Sequence, residues 1–286
     1  MPSIATPVRP GSVSAARAVP GAIRRPPYIA ADGQPSGREL APLTDADAVD
    51  RLRRAGQAAR RVLDRLQPFV RPGVTTDELD ATAHDAYIAE GGYPSPLGYR
   101  GFPKSICTSV NEVVAHGIPD DRQLRDGDIV NCDITIYLDG MHGDCSATYL
   151  CGDVADDVRE LVVVTEQALH AGVAAVRPGG RVRDIGRAIQ AVADAHGYGI
   201  VRELVGHGIG EEFHSEPYVH HYDEPRDRTR LRPGMAFTIE PMLTLGDPDV
   251  VQWPDGWTIV TLDGAPSAQF EHTVIVTNDG VEVLTL

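Results

Sequence analysis

Asp133 and Asp144 stand inside the run "VNCDITIYLDGMHGDC", Val130 to Cys145, which otherwise reads as buried strand. A carboxylate inside a sheet costs several kcal/mol unless something pairs with it. Between the two apolar halves of the run lies "DG", Asp139–Gly140, the signal of a two-residue hairpin turn. In that register Leu138 pairs with Met141, Thr135 with Asp144, and Asp133 with Ser146. The two aspartates then share one face as diagonal neighbours, roughly 7–8 Å apart at the backbone. At that separation two carboxylates can converge on one metal ion or bridge a pair. Without a cation they repel, and one of them must take up a proton.

Further groups of the same kind follow. "FTIEPM" places Glu240 at the end of an apolar strand, and "AQFEHTVIV" places Glu271 inside another. "VGHGIG" sets His207 between glycines, where backbone can approach a ligand closely, and "FHSEP" adds His214. Two Asp, two Glu and one His form an oxygen and nitrogen donor set suited to Mn, Fe(II), Co or Zn and not to a thiolate site. Carboxylate bridges are typical of hydrolytic sites that hold two ions about 3.5–4 Å apart. Any one of these residues alone is more often a hydrogen-bonded core acid or a satisfied imidazole. Together they argue for a site, because these stretches contain no Arg or Lys to neutralise the acids. Cys132 and Cys145 flank the aspartates, so they should face the other side of the sheet as small core residues.

The elements that must position these groups are legible in outline. Thr44 is a plausible N-cap for a helix that continues to about residue 69. Thr75 and Glu78 have capping-box spacing ahead of a second helix that Gly91–Gly92 should stop. Helices are expected near 154–176 and 182–196, and strands near 128–137, 142–150, 235–244, 258–262 and 268–277. The chain also repeats itself. "FVRPGVTTDEL" near 69 is echoed by "AVRPGGRVRDI" near 175, "VNEVVAHGIPD" from Val110 by "VRELVGHGIGE" from Val201, and "LRDGDIVNCD" from Leu124 by "LRPGMAFTIE" from Leu231. Three echoes in one order imply two related α+β halves about a pseudo-twofold axis, within one sheet-centred domain. The echo aligns His116 with His207 and Asp133 with Glu240.

Composition narrows the function classes. The chain has 286 residues and a net charge of −15, which disfavours nucleic acid as a partner. Residues 1–40 carry five Arg against Asp32 and Glu39, a net of +3, so the remainder carries −18. This segment also holds seven prolines and reads as an extended or disordered tail, with 41–286 as the catalytic domain. "PVRP", Pro7 to Pro10, fits PxxP, so the tail is either a solvated linker or a docking segment for a partner. Cys107, Cys132, Cys145 and Cys151 form no CxxC pair and read as reduced thiols of a cytosolic protein. No apolar run approaches the roughly 20 residues of a membrane span, and the N-terminus has no secretory pattern. A cytoplasmic protein is expected.

The motifs "GYRGFPKSICTSVNEVVAHGIPD", "VNCDITIYLDGMHGDCSATY", "GHGIGEEFHSEP", "FTIEPML" and "SAQFEHTVIV" together resemble type I methionine aminopeptidase, over residues 45–286. The resemblance implies an α+β pita-bread fold: two pseudosymmetric halves and a central antiparallel sheet covered by helices. It implies two divalent ions, with Asp133 chelating one, Asp144 and Glu271 bridging both, and His207 and Glu240 completing the other. His116 matches a histidine that contacts the substrate without being a ligand, and His214 one that stabilises the tetrahedral intermediate. Glu240 would double as proton shuttle. The methionine pocket would use Tyr99, Phe102, Cys107, Phe213 and Trp257, with Pro96 where some members have Cys. Asn111, Val113 and Ser267 match positions that hold a monovalent cation in some members.

The implied reaction removes the N-terminal methionine of nascent polypeptides when the second residue is small. A hydroxide held between the metals would attack the first peptide carbonyl. The 26-residue gap from His214 to Glu240 is too short for the long insertion of type II enzymes. The implied enzyme is a monomer with no membrane partner, and the tail is a candidate ribosome contact. Three rivals stand beside this reading. An Xaa-Pro aminopeptidase or prolidase usually carries a large N-terminal domain, which 40 residues cannot supply. A non-enzymatic pita-bread binding protein typically lacks ligands that are all present here. A two-metal phosphoesterase would need a phosphate cradle, and none is evident.

Overall fold

The computed structural model describes residues 7–286, so the first six residues of the Pro-rich segment lie outside the described residues. The first long helix, α1 (Ala46–Leu66), is capped by Asp45 and not by Thr44. The Asp45 carboxylate accepts from the Asp47 amide and satisfies one of the donors that a helix start leaves open. Leu52, Ala55, Ala59, Val62, Leu63 and Leu66 recur at helical spacing and are buried. Helix α2 (Thr76–Ala89) opens with the expected capping box, in which Thr75 Oγ1 accepts from the Glu78 amide and Glu78 accepts from the Thr75 amide. Gly91 follows it in the left-handed region, at φ 76°.

Nine strands form the main sheet: β1 (Tyr93–Pro94), β2 (Cys107–Val110), β3 (Asp128–Leu138), β4 (Met141–Cys151), β5 (Gly206–Gly208), β6 (Ser215–Val219), β7 (Ala236–Ile239), β8 (Glu271–Val276) and β9 (Val281–Val283). Their order is β1-β3-β4-β8-β7-β5-β6, with β2 on β3 and β9 on β8. Every pairing in it is antiparallel. The β3–β4 hairpin has the expected register throughout, from Asp128↔Cys151 to Leu138↔Met141. Asp139 and Gly140 sit at φ 52° and 85°, the double left-handed conformation of the tight turn that matches strand twist.

The two halves meet at the β4–β8 pairing. On one side, α1 and α2 pack over β3 and β4 through Val62, Leu79, Tyr87, Val130, Ile134 and Ile136. On the other, α3 (Asp156–Ala175) and α4 (Val182–His196) pack over β7 and β8 through Leu161, Ile185, Ile189, Phe237 and Val274. Cys132 and Cys145 lie in the first of these cores, on the helix-covered face, as the alternation of strand side chains requires.

Two expected strands are each divided. The 235–244 run breaks after Ile239 and resumes as Met242–Thr244, because Pro241 has no amide to give a ladder. The 268–277 run splits into Ser267–Gln269, which joins a separate three-stranded sheet with Met242–Thr244, and β8, which begins at Glu271. Glu240 and Glu271 therefore sit at strand ends where the backbone switches sheets.

The Pro-rich segment is not a free tail. Residues 7–40 lie against the body, where the Val8 amide donates to Glu112 and the Gly11 amide to Asp120. Arg17 pairs with Asp77 and Asp80. The chain's one lysine, Lys104, is buried and bonds to Ser14 Oγ and the Asp77 carboxylate. Part of the positive charge of this segment is thus spent on acids of its own body. Among the described residues no helix is long and apolar enough to cross a membrane.

Candidate metal centre and substrate pocket

The sheet register lays the acids out in two transverse rows on the face opposite α1 and α2. Across the first row Cys107 pairs with Asp133, Asp133 with Ser146, and Ser146 with Glu271. Directly paired residues project to the same side, so one cysteine and two acids from β2, β3 and β8 line up there. In the next row Thr135 pairs with Asp144, and Thr273 with Thr238. Backbone and hydroxyl bonds tie Asp144 to Thr273, at 3.1 and 2.7 Å. Asp144 thus enters diagonally between Asp133 and Glu271.

His207 is the middle residue of β5, between Gly206 and Gly208. A Cβ on Gly206 would lie 2.4 Å from the Thr238 carbonyl oxygen, and one on Gly208 2.2 Å from that of Glu216. Only glycine lets β5 approach its neighbours this closely. The His207 amide donates to Thr238 Oγ1 at 2.9 Å. Its ring Nδ1 is 3.2 Å from the Gly208 carbonyl oxygen, which places the proton on Nδ1 and leaves the Nε2 lone pair free. Nε2 lies 3.8 Å from Asp144 and 3.7 Å from Glu240. Potential ligand atoms of Asp144, His207 and Glu271 all lie within 4.8 Å of one another, and the three residues are buried. Asp133 and Glu240 are half-buried and line the same cavity as these three.

The electrostatics make this group unstable as four free anions. Burial pushes the Asp133, Asp144, Glu240 and Glu271 carboxyls above the ordinary range. The charge of Asp144 raises Glu271 further, and that of Asp133 raises Asp144. Among the described residues, no Arg or Lys nitrogen lies within the 4.0 Å of an ion pair from any of the four. Burial lowers His207 to about 4, so the imidazole is neutral at physiological pH. Four acids with no basic partner and a neutral imidazole with a free lone pair fit divalent cations.

The cluster opens into a cavity of about 730 Å³. All the other expected pocket residues line it too: His116, Tyr99, Phe102, Cys107, Phe213, His214 and Trp257, with Pro96 among them. Phe213 and His214 come from the loop between β5 and β6. Tyr99 packs on Phe213 at 4.9 Å, and its hydroxyl lies 3.1 Å from His214 Nδ1. Phe102 meets Trp257 edge-on at 5.1 Å, and His116 meets the same indole at 6.0 Å. His116, at φ 57°, is not within the cluster of close ligand atoms, although the repeat aligns it with His207.

Asn111, Val113 and Ser267 lie outside this cavity lining. They are neighbours nonetheless: the Ser267 amide donates to the Asn111 carbonyl at 2.9 Å. The Asn111 side chain is engaged by Asp128 and the Ile129 amide.

Several supporting groups escaped the sequence reading. Thr135 Oγ1 donates to Asp144 at 2.8 Å, and Thr238 Oγ1 to Glu240 at 2.7 Å. Gln269 donates to the other Glu240 oxygen at 3.3 Å. His221 Nε2 accepts from the Glu240 amide at 3.1 Å. Thr135 was within reach, since the hairpin register already placed it opposite Asp144. Nothing in the local sequence marks His221 or Gln269.

Comparison with known proteins agrees with this geometry. Residues 50–278 match the model of metallopeptidase family M24. The chain is 49% identical to "Methionine aminopeptidase 2" of Mycobacterium tuberculosis over 287 residues, 100% of this chain and 99% of the relative. It is 49% identical to "Methionine aminopeptidase 1D, chloroplastic/mitochondrial" of Arabidopsis thaliana, over 97% of this chain and 79% of the relative. Among solved structures, the methionine aminopeptidase of Rickettsia prowazekii superposes with a TM-score of 0.83 at 46% identity, covering 86% of this chain and 100% of that one. The two-halved sheet described above is therefore the pita-bread fold.

Proposed function

The chain belongs to metallopeptidase family M24 and functions as a methionine aminopeptidase, and we propose how its residues divide that work. The buried acid cluster around His207 Nε2 carries the assignment. Asp133 would hold one divalent ion together with Asp144 and Glu271, and His207 and Glu240 would hold a second together with the same two acids. The ions are Co, Mn, Fe(II) or Zn. When bound, they offset the carboxylate charges, provide a Lewis acid, and make a nucleophilic water available near neutral pH.

The chain's own groups do the rest. Tyr99, Phe102, Cys107, Phe213 and Trp257 enclose an unbranched apolar side chain, and Pro96 adds apolar wall. The limited space beside the acids restricts the second residue to a small one. His214 faces the cavity with Nδ1 against the Tyr99 hydroxyl. If Tyr99 donates there, Nε2 carries the ring proton and can donate to the oxyanion that develops on the scissile carbonyl. Glu240, steadied by Thr238 and Gln269, moves the proton from the attacking water to the leaving amine. His116, which burial holds as a neutral imidazole near a pKa of about 4, contacts the substrate backbone.

The substrates are nascent polypeptide N-termini, met in the cytoplasm by a monomer. Backbone oxygens at Asn111, Val113 and Ser267 would hold a monovalent cation. The Pro-rich segment, seated on the 41–286 body, also serves as a ribosome contact.

The test is purified enzyme with Mn or Co, assayed on Met-Ala-Ser and on an Ala-Pro peptide beside Asp133→Asn. Methionine release alone, abolished in the variant, is the expected result. Cleavage of Ala-Pro without Met-Ala would favour the Xaa-Pro reading, and inactivity on both would favour a binding protein.

A further inference from the structure

We infer that the turn at residues 27–33 of the N-terminal segment is part of the active site, and that its Tyr28 is a positioning residue for Tyr99 and, through Tyr99, for His214. The inference rests on the oxyanion role proposed above for His214.

Tyr28 is 5% exposed, although it lies in a Pro-rich stretch that reads as a tail. Its ring meets Tyr99 edge-on, at 5.1 Å and 80°. On another side it stacks on His142 at 6.0 Å, and His142 in turn stacks on Phe213 at 5.3 Å. The Tyr28 hydroxyl donates to the Ser95 carbonyl at 2.5 Å, and Ser95 Oγ lies 2.8 Å from His142 Nδ1. Tyr28 and His142 thus form a second layer directly behind Tyr99 and Phe213, which line the cavity.

A second attachment lies a few residues on. The Gly33 amide closes the turn on the Tyr28 carbonyl at 2.9 Å, and the Arg100 amide donates to the Gly33 carbonyl at 2.8 Å. A Cβ on Gly33, at φ +83°, would stand 2.2 Å from the Gly98 carbonyl oxygen, so only glycine allows this approach. The loop gripped in this way has three left-handed residues within four positions: Gly98 at φ 82°, Arg100 at 47° and Gly101 at 84°. Such a conformation persists only when its surroundings over-determine it, above all at a non-glycine residue. The N-terminal segment supplies a hydrogen bond to Arg100 and a ring against Tyr99, the residue beside it.

The chemical consequence runs through one hydrogen bond. A Tyr99 hydroxyl donating to His214 Nδ1 sets the tautomer with the proton on Nε2. A tilted Tyr99 ring would release that bond, and His214 would lose both its orientation and its tautomer.

The experiment uses the full chain with matched metal content, on Met-Ala-Ser, below each variant's melting temperature. The variants are Tyr28→Phe, Tyr28→Ala, Tyr99→Phe and the Y28A/Y99F double. Y28F keeps the ring and should stay within about twofold of the parent. Y28A should lose about 10- to 100-fold in kcat/KM, the scale of a displacement of order 1 Å at a catalytic group. The double variant should be no worse than the poorer single variant, because both act through one contact. Nitrogen-15 imidazole spectra of the zinc-loaded protein should show Nε2–H on His214 in the parent and a mixed tautomer in Y28A. Should Y28A fail to fold, Tyr28→Leu, which keeps apolar bulk without the ring, takes its place. Parent-like kinetics in Y28A or Y28L would overturn the inference, as would losses that multiply in the double variant. An inactive parent would instead count against the function proposed above.

Discussion

Thr135 and Asp144 face each other across the β3–β4 hairpin, and the threonine hydroxyl donates to Asp144 Oδ1 at 2.8 Å. The pairing leaves Oδ2 directed at His207 Nε2, 3.8 Å away. The hydroxyl thus orients the carboxylate so that its other oxygen faces His207. Supports of this kind typically contribute 10- to 100-fold to metal affinity. Thr135→Val keeps the shape and removes the donor, so Mn should bind about 10- to 100-fold more weakly in calorimetric titration. An unchanged affinity in a folded variant would show that the Asp144 rotamer is held by the sheet alone.

Metal binding should be strongly pH-linked. Burial raises all four carboxyls in the folded chain above their unfolded values. A raised pKa favours the protonated form in the fold, so the metal-free contribution is fully present at acid pH. It is lost as pH rises from the ordinary carboxylate range toward neutrality. Metal replaces those protons. The rise in Tm on adding Mn should therefore be larger at pH 8 than at pH 6, with net proton release on binding. Equal shifts at both pH values, with no proton released, would contradict the reading of the acids.

His221 shows the opposite sign. Burial lowers it to about 3, against 6.5 for a free imidazole. The unfolded chain binds a proton there below pH 6.5 and the folded chain does not, so this contribution is complete above 6.5 and drains as pH falls toward 3. His221→Leu should cost about 1–3 kcal/mol at pH 7.5, because the Glu240 amide loses its acceptor. The penalty should shrink at pH 5. Urea unfolding at the two pH values measures both, and a penalty that grows on acidification would rule this account out.

Lys104 tests the seat of the N-terminal segment. Its ammonium is buried against Asp77, Asp80 and Ser14. Among the described residues, Lys104→Met leaves buried Asp80 with Arg17, itself a residue of the segment, as its one cationic partner beside the Ser105 amide. Removing one partner of a buried ion pair costs about 3–5 kcal/mol. The lower half of that range is expected here, since Asp77 is partly exposed and Arg17 remains. Limited proteolysis should cut within residues 7–40 sooner in K104M. A variant with parental stability and cleavage rate would mean that the other contacts hold the segment by themselves.

Glu271→Gln keeps the side-chain volume and removes one carboxylate charge from the cluster. Methionine release at fixed Mn should fall by at least about 100-fold, beyond the loss from a supporting residue, with the fold retained. Circular dichroism and a Met-Ala-Ser assay suffice to check it.

Much of the site was legible because β-structure is periodic. The Asp139–Gly140 turn set a register, and alternation then put Asp133 and Asp144 on one face and Cys132 and Cys145 on the other. The three repeats placed Glu240 opposite Asp133 in a second half. The same repeats suggested an equivalence of His116 and His207 that geometry does not keep: His207 is in the cluster of close ligand atoms, and His116 meets the Trp257 indole. Helix capping was legible to within a residue, with Asp45 taking the place expected of Thr44, because adjacent residues compete for the same open amides.

The sequence by itself determined the hairpin that carries Asp133 and Asp144, the two-halved α+β plan and the kinship that names the reaction. These follow from local turn chemistry, side-chain alternation and motif spacing, all encoded within short stretches. Only the tertiary structure decided what Thr238, Gln269 and His221 do for Glu240, and that residues 7–40 are seated on the body. It also decided that Tyr28 stands behind Tyr99. Those relationships join residues far apart along the chain, through contacts of a few ångströms that no local pattern records. Whether a Pro-rich segment lies free or packs depends on the surface it meets, and that surface exists only once the body has folded.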